Sequence, residues 1–292
     1  VVVIGSGALP ARCASHLLGA GVAVNLLIES EPDAFSTLRH LGVRRGVPCR
    51  EASGAEIADT LLSFAGLNLV LSANNTYLFP PEVCESRRLR IVNFHGGLLP
   101  GYAGRNVATW VLFNRDPRHG ATWHLVDPEI DAGPILAQAE FVVPPEATAG
   151  QLMSQAMALG LALFAAHWKR FLDPAEAGRP QERPGVLLRR SQLPNSGALR
   201  LDWDFDTASR FLRSMDYGPL RVVPAPRIVL GGRTFAIGHY RLQRLGSGWV
   251  AGGPDSGQAR PELTWHDGSH VTLRFPDGHI ELFLEPVSEQ PE

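Results

Sequence analysis

The chain has 292 residues and 45% hydrophobic content, enough for one large domain or two smaller ones with packed cores. Its formal net charge of −2, with Lys169 as the single lysine, argues against a nucleic-acid or membrane partner held by bulk charge. The three cysteines, Cys13, Cys49 and Cys84, are scattered and form no CxxC or Cys/His spacing, which suits a reducing cytoplasm and no metal site.

In chain order, residues 1–4 read as a buried strand, and "GSGALP" as a turn into a helix over 11–18. The first residues lack a basic n-region, so they are not a signal peptide. Residues 22–28 read as a second strand ending at Glu29, and 33–41 as a helix with Pro32 near its start. A short strand near Val47, a helix over 55–64 and an apolar strand over 67–71 come next. The polar loop "SANNTY" precedes a short helix over 81–87, a strand over 89–92 and a helix over 108–113. "GATWHLVD" and "ILAQAEFVV" are two further strands. Thr148 caps a long helix running to about residue 172, and its longest wholly apolar run, 157–166, is too short to span a bilayer. This alternation predicts an α/β fold with a doubly wound, mostly parallel sheet. Residues 173–197, rich in Pro, Gly and Arg, read as a linker or wrapping loop. A helix over 205–215 follows, then short strands separated by Gly, Pro and Asp turns: a smaller, β-rich, barrel-like domain. The expected domains are 1–190 and 191–292. The absence of an initiator Met and the loose tail "SEQPE" are compatible with a domain cut from a longer polypeptide.

Two motifs compete for the function. "VVVIGSGALPARC", with Glu29 closing the next strand, imitates a dinucleotide fingerprint, but Pro10 stands where a third glycine belongs. The other is "NFHGGLLPGYAGRN", residues 93–106. In open α/β sheets, ligands bind beyond the carboxyl ends of the strands, and residues two apart on a strand face the same side. Asn93 and His95 can therefore converge on one ligand atom and stabilise an oxyanion on an attacked carbonyl. Gly96, Gly97, Gly101 and Gly104 would leave room for substrate. Asp131, after the strand "GATWHLV", can orient the histidine or help remove a proton. Taken singly, each residue is equally a turn, core or loop residue; the combination points to chemistry.

"NFHGGLLPGYAGRN … HGATWHLVDPEIDAGPILAQ" resembles the 10-formyltetrahydrofolate-dependent formyltransferases. Asn93, His95, Leu98 to Pro100, Gly104, Asp131 and Gly133 fit that family's pattern residue by residue. "LDWDFDTASRFLRSMDYGP" (201–219) is similar to the segment that opens its C-terminal domain, so the resemblance covers nearly the whole chain. It looks closest to formyltransferase domains of nonribosomal peptide and polyketide assembly lines. The resemblance implies a Rossmann-like formyltransferase fold and an N-formyltransferase using 10-formyltetrahydrofolate as formyl donor, with Asn93 and His95 holding the oxyanion and Asp131 orienting His95 and assisting proton removal. By the same analogy the pterin lies between the 74–80 loop (Asn75, Tyr77, Leu78, Phe79) and the backbone of 126–131 (Val126, Asp127, Glu129, Ile130). Many relatives have His-Pro-Ser where this chain has His95-Gly96-Gly97, which suggests a roomier entrance. The implied acceptor is an amine on a biosynthetic intermediate, first of all an aminoacyl group tethered to a carrier protein. An amino-sugar nucleotide or a hydroxyornithine amine is the runner-up. Residues 240–292 hold four arginines and eight acidic residues, the wrong sign for a tRNA-binding surface. A nucleotide-binding oxidoreductase and an inactive docking domain are the alternatives from other classes.

Overall fold

A computed structural model describes residues 1–31, 35–182, 185–245 and 261–287; the tail at 288–292 and Asp33, expected to open a helix, lie outside them. The described residues separate into two compact units. The first comprises 1–107, 118–142 and 153–188, the second 108–117, 143–152 and 189–292.

Unit 1 alternates strands and helices as the periodicity predicts. They run β1 (Val2–Gly5), α1 (Ala8–Gly19), β2 (Leu26–Glu29), α2 (Thr37–Arg45), β3 (Cys49–Glu51), α3 (Gly54–Leu62), β4 (Asn68–Ala73), α4 (Pro81–Cys84), β5 (Leu89–His95) and β6 (Tyr102–Gly104). After α5 (Val107–Phe113), which falls almost wholly in the second unit, come β7 (Arg118–Leu125), β8 (Ile135–Val142), α6 (Ala149–Leu172), whose first residues also fall in the second unit, and β9 (Val186–Leu188). The main sheet has the order β3-β2-β1-β4-β5-β7-β8. Its first five strands are parallel, while β7 and β8 are antiparallel. Helices cover both faces because the strands are apolar on both. One face packs Val3, Leu27, Leu71, Val92 and Trp123 against α1, α2 and α6. The other packs Val2, Ile28, Val70 and Ile91 against α3.

Local signals set the element ends. Pro10 sits in the first turn of α1, where its missing N–H is not needed. Ser53 and Glu56 form a capping box on α3. Thr148 and Gln151 bond reciprocally at the start of α6. By length and composition α6 could cross a membrane. Here its Phe164 and Phe171 are fully buried beside Trp123, so it serves as a core helix.

The glycine turn after β1 does not offer the open cradle a dinucleotide needs. Ser6 Oγ donates to the carbonyl of Glu31 (2.5 Å) and accepts from its N–H (3.1 Å). The Ser6 carbonyl is held by Asn74 (2.8 Å). Glu29, which would have to reach a ribose, is 1% exposed and shares a face with buried Leu27.

Unit 2 contains β10 (Ala198–Leu199), α7 (Phe205–Met215), β11 (Arg227–Leu230), β12 (Arg233–Arg244), β13 (Glu262–Trp265), β14 (His270–Phe275) and β15 (Gly278–Pro286). Its sheet, a six-stranded half-barrel, has the order β10-β11-β12-β15-β14-β13. Asp204 caps α7 by accepting from the Thr207 N–H (2.7 Å). Phe205 of α7 meets Phe275 of β14 edge to face.

Candidate active site

The strand expected to end at Val92 runs on to His95, so Asn93 and His95 sit on β5 itself and face the same side. The register sets Ser72 of β4 beside Asn93 on one flank and His124 of β7 on the other. Three polar residues thus form a row across the sheet, one position beyond the apolar core. Asn75 Nδ2 donates to Ser72 Oγ (3.1 Å), Ser72 donates to Asn93 Oδ1 (2.8 Å), and Asn93 Nδ2 donates to His124 Nε2 (3.2 Å). Among the described residues, the second Nδ2 hydrogen of Asn93 meets no acceptor.

Asp131 closes the site from the loop between β7 and β8, in a left-handed conformation (φ 55°). Its Oδ2 lies 3.2 Å from His95 Nδ1 and accepts the Gly104 N–H (2.8 Å), while its Oδ1 lies 3.4 Å from His124 Nε2. His95 Nε2 points at the Tyr102 carbonyl, 2.7 Å away. A carbonyl and a carboxylate only accept, so both His95 nitrogens carry protons. Burial favours the neutral ring, but the charge and hydrogen bond of Asp131 and the Tyr102 carbonyl outweigh it and raise the His95 pKa. Burial likewise pushes Asp131 upward, yet the His95 charge, the neighbouring His124 ring and the bond from His95 hold its carboxyl far below the usual range. The result is a buried imidazolium–carboxylate pair. His124 Nδ1 lies 2.7 Å from the Leu125 carbonyl and must donate to it, which leaves the Nε2 lone pair facing Asn93 and Asp131.

The turn between β5 and β6 is pinned from β7 and β8. Thr122 Oγ1 donates to the Gly97 carbonyl (2.6 Å), and Gln138 Nε2 reaches both Thr122 Oγ1 (2.9 Å) and the Leu99 carbonyl (2.8 Å). Of the residues expected at the pterin, Tyr77, Phe79 and Val126 pack against one apolar cluster, while Leu78 (65% exposed) and Ile130 (41%) leave apolar surface open. Asn75 holds its own loop by accepting from the Tyr77 N–H (3.1 Å), and Asp127 accepts from the N–H of Glu129 (3.1 Å).

The sequence profile of the formyl transferase family matches residues 29–166, a span that holds the whole Asn93–His95–His124–Asp131 constellation. Over those residues the chain is similar to formyl transferases, which are one-carbon transfer enzymes. Among its relatives, a methionyl-tRNA formyltransferase of Lactobacillus acidophilus is 25% identical over 76% of this chain and 68% of its own length. A GDP-perosamine N-formyltransferase of Brucella melitensis is 26% identical over 81% of this chain and 91% of its own. Among solved structures, an N-formyltransferase from Helicobacter canadensis, in complex with folinic acid and dTDP-3-aminofucose, aligns with a TM-score of 0.71 at 15% identity, covering 97% of this chain and 98% of that one. It shares the fold of both units.

Two expectations about these residues need correction. Asn93 and His95 do not both aim free donors at one atom, because His95 Nε2 is spent on the Tyr102 carbonyl. The glycines are not all there for access. A Cβ on Gly97 would lie 2.9 Å from both His95 Nε2 and Val107 Cγ1, and Gly104 (φ 86°) presses against the Leu188 carbonyl. Of the four, Gly96 alone would take a Cβ at ordinary contact distance, 3.9 Å from the Phe94 ring; a Cβ on Gly101 would lie 3.2 Å from the Leu98 carbonyl oxygen. His124 was missed. Its only sequence signal is a polar residue alternating with core residues in "ATWHL".

Proposed function

We propose that this formyltransferase moves the formyl group of 10-formyltetrahydrofolate to the amine of a nucleotide-linked amino sugar. The observation that carries the reaction is the pairing of Asn93, with one amide hydrogen uncommitted, and the His124 Nε2 lone pair, both anchored by the buried His95–Asp131 pair. The acceptor amine attacks the formyl carbon, a C–N bond forms, and the carbonyl oxygen takes the electron pair. Asn93 donates to that oxygen, with the His95 imidazolium as a fixed positive charge nearby. Asp131, held far below its usual pKa, is an anchor more than a base. His124 Nε2 is the group placed to hold the amine proton until the bond to N10 of the folate breaks and that nitrogen takes it up.

The open apolar surface of Leu78 and Ile130, beside Tyr77, Phe79 and Val126, suits a planar pterin. For the acceptor, a relative named for GDP-perosamine and a neighbour crystallised with dTDP-3-aminofucose favour an amino-sugar nucleotide over the carrier-tethered aminoacyl group expected first. The acidic balance of residues 240–292 counts against tRNA. The test is mass spectrometry after incubation with 10-formyltetrahydrofolate and one of four acceptors: a nucleotide-linked amino sugar, hydroxyornithine, an aminoacyl carrier arm, or initiator methionyl-tRNA. The first should gain one formyl group. Formylation confined to any of the others overturns the acceptor, and folate binding without transfer to any amine overturns the enzyme reading.

A further inference from the structure

The connector that follows α6 does more than join the two units' sequences. Arg179 exchanges both backbone hydrogen bonds with Ile135 at the start of β8 (2.8 Å each). Two residues on, Gln181 turns its side chain onto the Asp131 loop. Its single Nε2 reaches the carbonyl of Asp131 (2.8 Å) and that of Gly133 (2.7 Å), one for each amide hydrogen. Farther along, β9 pairs with β6, the strand that supplies the Tyr102 carbonyl to His95 and the Gly104 N–H to Asp131. The fit is close: a Cβ on Gly185 would overlap the Pro100 carbonyl, and one on Gly104 would lie 2.2 Å from the Leu188 carbonyl. The same stretch of chain therefore grips both backbone segments that hold the ion pair.

We propose that Gln181 is a positioning residue that sets the direction of the Asp131 carboxylate. Asp131 has a left-handed backbone, a region unfavourable for a non-glycine residue that persists only where its surroundings enforce it. Gln181 fixes the peptide planes that follow Asp131 and Gly133 and so constrains the direction in which the carboxylate leaves the chain. That carboxylate must meet three groups at once: His95, His124 and the Gly104 N–H. If Gln181 only closed a turn, its loss would lower stability and leave the imidazolium pair alone. If it aims Asp131, its loss lets the carboxylate drift, and the His95 pKa, which Asp131 raises against the pull of burial, must fall.

The inference rests on the formyl-transfer reading only for its kinetic arm. The test compares wild type with Gln181→Met, equal in length and without donors. NMR titration of the His95 ring, assigned by its absence from His95→Asn, is run on the full chain without substrates. A downward shift of the His95 midpoint is expected. In the formyl-transfer assay, kcat should fall about tenfold with KM for donor and acceptor nearly unchanged, since small misplacement of a reacting group is expensive. An unchanged His95 midpoint overturns the proposal, whatever the kinetics do. An inactive wild type with the midpoint shift present counts against formyl transfer and not against Gln181. Should Gln181→Met fail to fold, Gln181→Glu carries the test. Its carboxyl donates only when protonated, so kcat relative to wild type should recover as pH falls, and a pH-independent defect overturns the proposal.

Discussion

His119 gives the sharpest quantitative prediction, because it is a buried titratable group with nothing to bond. It lies on β7, 1% exposed, with its ring edge-on to Phe141 (5.4 Å), and neither ring nitrogen has a hydrogen-bond partner. Burial first, and the charge of His95 second, push its pKa from 6.5 down to about 4. A depressed histidine works against the fold in acid. Below pH 6.5 the unfolded chain takes up a proton that the folded chain refuses until about pH 4. Stability is therefore lost as pH falls from 6.5 towards 4, by at most about 3 kcal/mol at 1.36 kcal/mol per pH unit, and by about 2 kcal/mol at pH 5. His119→Leu keeps the apolar contact and removes the proton acceptor. Urea midpoints of the two proteins at pH 7.5, 6 and 5 read the difference. At pH 7.5 the variant should be equal or slightly more stable, since two unpaired buried nitrogens are gone. The gap should then widen in its favour with each step into acid. Asp131 does not confuse this window, because its depressed carboxyl contributes stability that is lost only below the usual carboxylate range. His95 has the opposite sign: its raised pKa contributes stability that disappears as pH rises, and it is present in both proteins. A gap that stays constant from pH 7.5 to 5 would refute the reasoning.

Asn93→Ala removes the one uncommitted donor and should lower kcat by about a hundredfold or more in the formyl-transfer assay, with the circular dichroism spectrum unchanged. Asp131→Asn leaves the buried His95 ring without its counter-charge; the His95 NMR midpoint should drop, and stability at pH 6 should fall by roughly 3 kcal/mol or more in urea melts. Gly104→Ala combines a left-handed backbone with a Cβ 2.2 Å from the Leu188 carbonyl; a cost of roughly 1–3 kcal/mol and a lower thermal midpoint are expected.

The doubly wound sheet was legible because its strands are short apolar runs bounded by Gly, Pro and polar clusters, a pattern written locally. Asn93 and His95 were legible as a pair because strand periodicity alone puts them on one side. What local pattern could not supply was strand neighbourhood. His124 sits beside Asn93 because β7 runs antiparallel to β5 across 31 residues of sequence. Nothing in "ATWHL" names its partner. The glycines misled for a related reason. A missing side chain looks like space in one dimension, but Gly97 and Gly104 are small so that His95 and β9 can come close. Gln181 fell in a stretch read as a wrapping loop, and composition cannot tell which side chain of a wrap reaches inward.

The chemistry follows from counting what the network leaves unspent. Ser72 is spent on Asn93 and Asn75, both His95 nitrogens on Tyr102 and Asp131, and Asp131 Oδ2 on His95 and Gly104, with Oδ1 facing His124 Nε2. Such pairing stabilises the site, since an unpaired buried group costs about 1–3 kcal/mol and a charge more. Two valences stay ambiguous: the second amide hydrogen of Asn93, and the His124 Nε2 lone pair, which can accept from Asn93 or, once protonated, donate to Asp131. Addition of an amine to a carbonyl needs one donor for the oxygen that gains charge and one acceptor for the proton the nitrogen sheds. In the proposed reaction, when His124 takes that proton, its bond from Asn93 is broken and its bond to Asp131 becomes favourable. Both Asn93 hydrogens are then free as the oxyanion forms. The same exchange run backwards returns the proton when the carbonyl reforms, so the buried pair behind it never changes its charge.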